Sequence, residues 1–243
     1  MKKLLLYSLF IFSWFGMRGQ GSITTDRPDQ TENAQLIAPK AFQIEMGLIN
    51  INSKDNSDKN RDYQLPNIAL RYNAFKKLEL RFNTALGNVN IEDTGIQYLD
   101  FGAKIALYNL PEKNIYSSLI LHNFVYQHDG NNLKNEDFHL IPKIAISHSL
   151  SSKIGIGYNL GLEYFENKIN SYLFTASISS SLSDKIGFFL EPYCFLKNGS
   201  ANEINFNGGL TYLISDDLQL DTSYGIGLNN QMNFLSAGIS IRI

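Results

Sequence analysis

The sequence of 243 residues carries a formal net charge of −2 at pH 7, with 18% charged residues, 16 Phe, 13 Tyr and 18 Gly. Aromatic and small residues in this proportion are typical of β-rich chains. The single cysteine excludes a disulfide framework, and the weak negative charge argues against nucleic acid as a partner. After residue 20 no apolar run approaches the roughly 18 residues of a spanning helix, which excludes a helical membrane protein.

The first residues have the composition of a secretory signal. Lys2 and Lys3 precede an apolar run over residues 4–15, which is too short to span a membrane as a helix. We therefore expect a signal peptide over residues 1–19, with cleavage near Gly19 and Gln20. Without Lys2, Lys3 and Arg18, 18 basic and 23 acidic residues remain, a net charge of about −5.

Residues 20–40 form a polar N-terminal segment with neither a strand nor a helix period. It contains four charged residues, Asp26, Arg27, Asp29 and Glu32, within seven positions. Two interpretations are open. The segment is either a plug that carries these four side chains into the structure that follows, or a disordered periplasmic lead.

Alternation of apolar and polar residues begins at Phe42 and recurs to the end of the chain, as in two-faced strands. Residues 78–83 show it most clearly, because Leu, Leu and Phe alternate there with Glu, Arg and Asn. Residues 52–62 are expected to form a polar loop. The stretch 115–128 is apolar on both faces, so its register cannot be assigned from the pattern.

Reversals recur at residues 150–153, 182–185 and 214–217, each 32 residues after the one before. Together with turns at 75–77 and 111–113 they alternate with longer, more polar connections, and they predict twelve antiparallel strands. An even strand number, with short turns at one end and longer loops at the other, is the plan of an outer-membrane barrel. We expect the last strand, residues 235–243, to pair with the first near residues 42–50 and close an all-β, up-and-down transmembrane barrel over residues 41–243.

Twelve strands in one barrel enclose a space too wide for a simple apolar core, which disfavours a soluble β-sandwich. The apolar faces are then expected to meet lipid, where a charge would cost about 2–4 kcal/mol at mid-depth. Eleven charged residues on the polar faces are expected to line the lumen: Glu45, Arg71, Glu79, Arg81, Asp100, Lys104, Lys143, Glu163, Glu191, Asp221 and Arg242.

The stretch Thr25–Glu32, with the sequence TDRPDQTE, is followed by APK at 38–40 and FQIE at 42–45. These motifs resemble the start of the putative MetA-pathway of phenol degradation family, whose bacterial members are often labelled transporters. The resemblance implies an outer-membrane barrel with a role in uptake of small compounds, aromatic compounds among them. It brings no substrate-binding residues to this chain.

Catalytic and metal sites are not expected. A lipid-hydrolysing site needs Ser and His together on the outer face, but His148 and Ser149 are sequence neighbours and so face opposite sides of a strand. His122 has no Ser two residues further on. No cluster has metal-ligand spacing, and no cofactor is implied.

Two main functions remain, both in the outer membrane of a Gram-negative-type bacterium. The first is a channel or transporter for passive uptake of small solutes through a lumen. The second is a closed structural or interaction barrel, with paired interior charges, that acts through its extracellular loops. A lipid-modifying enzyme is a third, weaker alternative. The expected partners are outer-membrane lipid, a small-molecule solute and the outer-membrane assembly machinery. The terminal residue is Ile243, where such barrels commonly end in an aromatic assembly signal.

Overall fold

The computed structural model describes residues 22–55, 58–88, 94–128, 133–134 and 138–243; the expected signal peptide lies outside them. Twelve long strands and a two-residue strand, β6, form one antiparallel sheet, as the alternation predicts. No helix in the described part of the chain is long and apolar enough to cross a membrane. The strands are β1 (Phe42–Asp55), β2 (Asp58–Phe75), β3 (Leu78–Asn88), β4 (Thr94–Leu110), β5 (Ile115–His128), β6 (Leu133–Lys134), β7 (His139–Ser149), β8 (Ile154–Phe165), β9 (Lys168–Ser181), β10 (Ile186–Lys197), β11 (Glu203–Ser215), β12 (Leu218–Gly227) and β13 (Gln231–Arg242), with a 3₁₀ turn at Pro111–Lys113.

The sheet closes on itself where the last long strand meets the first. β13 pairs antiparallel with β1, with Arg242 opposite Gln43 and Leu235 opposite Asn50. The main chains of Phe42 and Ile243 exchange two hydrogen bonds, of 3.0 and 2.7 Å. The remaining long strands pair with their neighbours in sequence, β6 attaches to the end of β5, and β5 pairs directly with β7. The predicted closure is confirmed, and it removes the free edges that an open sheet would expose.

The two faces of each strand differ as the period of two requires. In β3, Glu79 and Arg81 are 0% and 5% exposed, whereas Leu80 between them is 47% exposed. The same inversion holds in β11 and β13, where Asn207 and Ser236 are buried while Leu210 and Leu235 are exposed. The barrel therefore carries its apolar residues outside and its polar residues inside, a surface suited to lipid.

The first hairpin is longer than the sequence predicts. Residues 52–62 were expected to form a polar loop, but β1 runs to Asp55 and β2 begins at Asp58. Main-chain pairing needs no apolar side chains, and polar ones add support, because Arg61 Nε donates to Asn52 Oδ1 at 3.2 Å. Asn52 Nδ2 in turn donates to Asn233 Oδ1 at 3.2 Å, across the seam with β13.

The register of β5, which the pattern left open, follows from its neighbours. His122 lies opposite Gly102 of β4, and Ser118, Ile120 and His122 are buried on the inward face. Ile120 is apolar although it faces inward, because it packs there with Ala34 and Ala145. This inward-facing isoleucine is the reason that the sequence of β5 is apolar on both faces.

The outward face provides a stability test. Leu210 lies at the middle of β11 and is 49% exposed. The change Leu210→Arg should lower the free energy of unfolding in lipid vesicles by about 2–4 kcal/mol, because it places a charge at mid-depth in the membrane. Leu182→Arg is the matched control, because Leu182 lies beyond β9 in a short turn. Equal unfolding free energies for the two variants would contradict a lipid-facing Leu210.

Candidate functional site

The N-terminal segment, as far as the structure describes it (residues 22–41), lies inside the ring of strands and is bound from several sides. Ile23 N donates to Asp216 O at 2.7 Å, at the turn before β12. Glu32 N donates to Asn159 Oδ1 of β8 at 2.8 Å. Ser118 of β5 donates its hydroxyl to Ala34 O at 2.6 Å. Since inward side chains satisfy the main-chain polar groups of the segment, it holds a defined path without forming a strand of its own.

Asp26 lies among three buried cations. Its Oδ2 is 2.8 Å from Arg81 Nη2, 3.3 Å from Arg71 Nη1 and 3.1 Å from Lys104 Nζ. Burial alone would raise the pKa of this carboxyl, but Arg71, Lys104 and Arg81 together hold it below its usual range. Asp26 is therefore ionised and anchors the segment to β2, β3 and β4.

Glu32 makes a second cluster of the same kind, next to the first. One oxygen is 2.5 Å from Arg81 Nη1, and the other is 2.5 Å from Lys143 Nζ and 2.8 Å from His122 Nε2. Burial opposes ionisation of Glu32, yet Lys143, His122 and Arg81 hold its pKa well below the usual range. Arg81 contacts both carboxylates and so joins the two clusters.

Two inward carboxylates of the strands bind the main chain of the segment. Glu45 Oε2 accepts N–H bonds from Asp26 and Arg27 at 3.0 and 2.9 Å. Glu191 accepts N–H bonds from Gln30 at 2.8 Å and from Thr31 at 2.5 Å. Each strand carboxylate thus holds a pair of successive amides, and charge-assisted bonds of this kind are stronger than neutral ones.

Arg27 binds strands on the other side of β1 from those that bind Asp26. Its Nη2 lies 3.1 Å from Asp221 Oδ1 and 2.9 Å from Ser236 Oγ. A Cβ at Gly47 or Gly238 would lie 2.4 Å from the guanidinium group, so both positions need glycine for this approach. The guanidinium therefore lies directly against the seam between β1 and β13.

Of the eleven charged residues predicted to line the lumen, nine are buried, Lys143 and Glu163 are half-buried, and together they do not form one group. Arg71 links Glu79 and Glu45 to the Asp26 cluster, at 2.7 Å in each case. Asp100 joins through His122 Nδ1 at 2.6 Å. Glu163 and Arg242 lie apart from these clusters: Glu163 contacts His139 at 3.1 Å, and Arg242 contacts Asp217 at 2.5 Å at the turn end.

Several inward residues that contact the segment were not among the predicted site residues, including Ser118, His122 and Asn159. The signal for the first two was weak but present, because Ser118 and His122 are polar residues four apart on one face of β5. The Asn159 side chain binds both main-chain groups of Glu32, since its amide also donates to Glu32 O at 3.0 Å. Nothing in a period of two distinguishes it from an ordinary polar position.

Asp29 differs from the other carboxyls of the segment. Burial raises its pKa well above the usual range, and the nearby Glu191 carboxylate raises it further. It lies half-buried between two cavities of about 410 and 180 Å³, which lie between the segment and the wall from the end of β7 to β10. The ion-paired clusters lie on β2 to β7, so only β7 contributes to both.

The described residues include no group of three or more His, Cys, Asp or Glu side chains arranged to hold a metal ion. His148 lies opposite Ile115 and Ile156 in the sheet. Ser147, one residue earlier, faces inward, where its hydroxyl accepts the N–H of Ala34 at 2.8 Å. His148 and the segment are thus on opposite faces of β7.

Removing Arg81 should release the segment. Arg81→Met leaves Asp26 and Glu32 with fewer buried partners, a loss of about 3–5 kcal/mol for a broken buried pair. A spin label on Gln35→Cys, in a Cys194→Ser background, should change from immobile to mobile in its electron paramagnetic resonance spectrum. Lys197→Met is the control, because its pair with Glu203 is more than a third exposed and such pairs contribute about 0–1 kcal/mol. An immobile label in Arg81→Met would contradict this anchoring role.

Lowering the pH should also release the segment from the barrel wall. Since the pKa values of Asp26 and Glu32 are lowered in the folded protein, their stabilisation is complete above the ordinary carboxyl pKa of about 4 and is lost as the pH falls further. Asp29, with its raised pKa, acts in the opposite sense. The spin label should stay immobile from pH 7 to 5 and become mobile between about pH 4 and 2. Asp26→Asn with Glu32→Gln should give a mobile label at every pH, and release on raising the pH would contradict the assignment.

Comparisons with known proteins agree with this barrel. No curated protein sequence is significantly similar to the chain. Among solved structures, the COG4313 outer membrane channel from Pseudomonas putida F1 is similar at 13% identity and a TM-score of 0.65, covering 89% of this chain and 100% of that one. The KdgM porin in complex with disordered oligogalacturonate is similar at 8% identity and a TM-score of 0.60, covering 82% and 98%. The NanC porin has the same identity, TM-score and coverage.

At these identities the likenesses show a shared fold, that of outer-membrane barrels. The family evidence is of a different kind, because it comes from the sequence itself. The model of the family described as "Putative MetA-pathway of phenol degradation" matches residues 25–243, which include most of the N-terminal segment and the whole barrel. The chain therefore belongs to the putative MetA-pathway of phenol degradation family.

Proposed function

We propose that the protein is an outer-membrane channel for passive uptake of small solutes, aromatic compounds among them, and that residues 20–40 form a plug that narrows its lumen. The observation that carries this proposal is the incomplete filling of the interior. Asp26 and Glu32 occupy the side of β2 to β7, whereas cavities remain on the side of β8 to β10. A barrel built only for rigidity would gain by filling that space.

Family membership and fold support the same proposal. The family description refers to phenol degradation, which supports an aromatic solute. Similar solved structures are described as porins and as an outer membrane channel. Inside this barrel, Phe124 stacks on His139 at 4.7 Å between ring centroids, and Phe165 and Tyr98 lie 5.0 and 5.7 Å from these rings. Aromatic rings beside a polar interior are groups on which ring-shaped solutes can stack.

A non-catalytic function is part of the proposal. His122 and Glu32 are close, but His122 also binds Asp100 at 2.6 Å, so both ring nitrogens are engaged with carboxylates that fix the segment. These groups anchor the plug, and no Ser hydroxyl takes part in the pair as a triad would require. His148 lies on the other face of the sheet, toward lipid.

The second candidate is a closed barrel that acts through its extracellular loops. The specific observation in its favour is the network around Arg71, Arg81 and Lys104, which is almost fully buried and binds the plug tightly. Buried ion pairs of this kind also fix a unique arrangement. The two candidates differ in whether ions cross the protein.

The surroundings of the channel follow from the proposal. The exposed apolar face, with residues such as Leu210 and Leu235, would contact outer-membrane lipid. Residues 1–19 would direct secretion and be removed. Insertion would require the outer-membrane assembly machinery of a Gram-negative-type bacterium, with Ile243 at the position where an aromatic signal is common.

Planar-bilayer recording tests the proposal. Refolded mature protein should give discrete ion conductance, and deletion of residues 22–38 should increase it several-fold, because the plug no longer narrows the lumen. Arg81→Met should give intermediate, fluctuating conductance, since the plug is loosened but present. The control is Lys197→Met, which should give the wild-type conductance. If neither the wild type nor the deletion variant conducts, the channel function is wrong and the closed barrel is favoured.

A further inference from the structure

The interior of the barrel is divided by charge. The four cations and one histidine that contact Asp26 or Glu32 come from consecutive members of the ring, β2, β3, β4, β5 and β7: Arg71, Arg81, Lys104, His122 and Lys143. At its short-turn end the facing wall of β8 to β10 carries mainly small side chains, together with the inward ring of Phe189: Gly155, Gly157, Ser177, Ser179, Ser181 and Gly187. One side of the plug is therefore ion-paired, and the other faces mainly hydroxyls and bare main chain.

The cavities lie on this second side. The larger, of about 410 Å³, lies between residues 23–29 of the segment and the turn-end residues of β8 to β10. The smaller, of about 180 Å³, lies deeper, beside Thr31 and Ser177, and shares Asn33, Gly155 and Ser179 with the larger. At the deeper level the plug approaches the wall closely, because a Cβ on Gly157 would be 3.0 Å from Thr31 Cγ2.

Asp29 lies where the two cavities meet and is the carboxyl that lines both. The two cations beside the larger cavity are placed differently. Arg27 is bound to Asp221 and Ser236, and Lys153 is exposed in the turn before β8. Because burial and then Glu191 raise the pKa of Asp29, its carboxyl can remain protonated closer to neutral pH than an ordinary one. It can then donate as well as accept a hydrogen bond.

We infer that solutes pass the plug between residues 25–33 and strands β8 to β10, along a hydroxyl-lined passage with Asp29 at its centre, and that this passage takes small uncharged molecules bearing hydroxyl groups. The inference rests on the proposed channel function. A solute on the other side would have to break buried ion pairs, each at a cost of about 3–5 kcal/mol. On this side the serine hydroxyls and main-chain groups exchange hydrogen bonds with the solute without any charge being uncovered.

The selectivity follows from the same wall. A dianion entering the passage would be desolvated against hydroxyls and Asp29, with no buried cation free to pair with it along the wall, since the cations of β2 to β7 contact Asp26 and Glu32. An uncharged polyol or phenol loses only hydrogen bonds with water and regains them from Ser177, Ser179 and Asp29. The passage should therefore favour neutral hydroxyl compounds over anions of equal size.

Matched cysteines test the route. In a Cys194→Ser background, Ser179→Cys places a thiol in the passage, and Ser118→Cys places one on the ion-paired side, where Ser118 is buried against Ala34. A bulky cationic methanethiosulfonate reagent should reduce conductance by at least about twofold in Ser179→Cys, because it fills the passage, and should leave Ser118→Cys unchanged. Reduction in Ser118→Cys alone, or in neither variant of a conducting parent, would overturn the route while leaving the channel function intact.

Vesicle swelling tests the selectivity with two four-carbon probes. Wild-type protein should admit erythritol at least about fivefold faster than the dianion succinate, and deletion of residues 22–38 should reduce this difference, because the widened lumen no longer forces solutes against the hydroxyl wall. Equal entry rates of erythritol and succinate through the wild type would overturn the proposed preference for uncharged hydroxyl compounds. If neither probe enters, even after the deletion, the channel function itself fails and the inference falls with it.

Discussion

The contact of two carboxylates of the N-terminal segment with four cations and one histidine of the barrel determines the arrangement of the interior. Asp26 and Glu32 contribute two negative charges to a wall that carries Arg71, Arg81 and Lys104 among others. Of the strand carboxylates, Glu45 and Glu79 contact Arg71, and Asp100 contacts His122. Arg81, Lys104 and Lys143 make their ion pairs with the segment, so its two carboxylates complete the local pairing of this wall.

This dependence explains why the plug is asymmetric. Ion pairs hold it against β2 to β7, whereas its contacts with β8 to β10 are hydrogen bonds, made with Asn159, Thr175 and Glu191. These hydrogen bonds are concentrated around residues 30–32, and space remains beside the rest of the segment. The position of the proposed passage therefore follows from which strands carry the cations.

The sequence predicts the fold to a large extent but the interior only in part. Period-two alternation predicts the strand number, the closure of residues 235–243 on residues 42–50 and the face of each charged residue. It does not give the position of a residue along the barrel axis. That position is the reason that Lys143 contacts Glu32 while Glu163 lies apart and contacts His139. The inward Ile120 obscures the register of β5, because its partner Ala34 comes from a segment with no period at all.

The seam between β1 and β13 also constrains the order of assembly. β13 follows every other strand in the chain, so the ring cannot be complete until the whole chain has been delivered to the membrane. The groups that hold Arg27, namely Asp221 and Ser236, belong to β12 and β13, and Gly47 and Gly238 face each other across that seam. The plug can reach its final position only as the barrel closes. The interior of the nascent barrel is therefore expected to stay water-filled and unplugged until β13 pairs with β1.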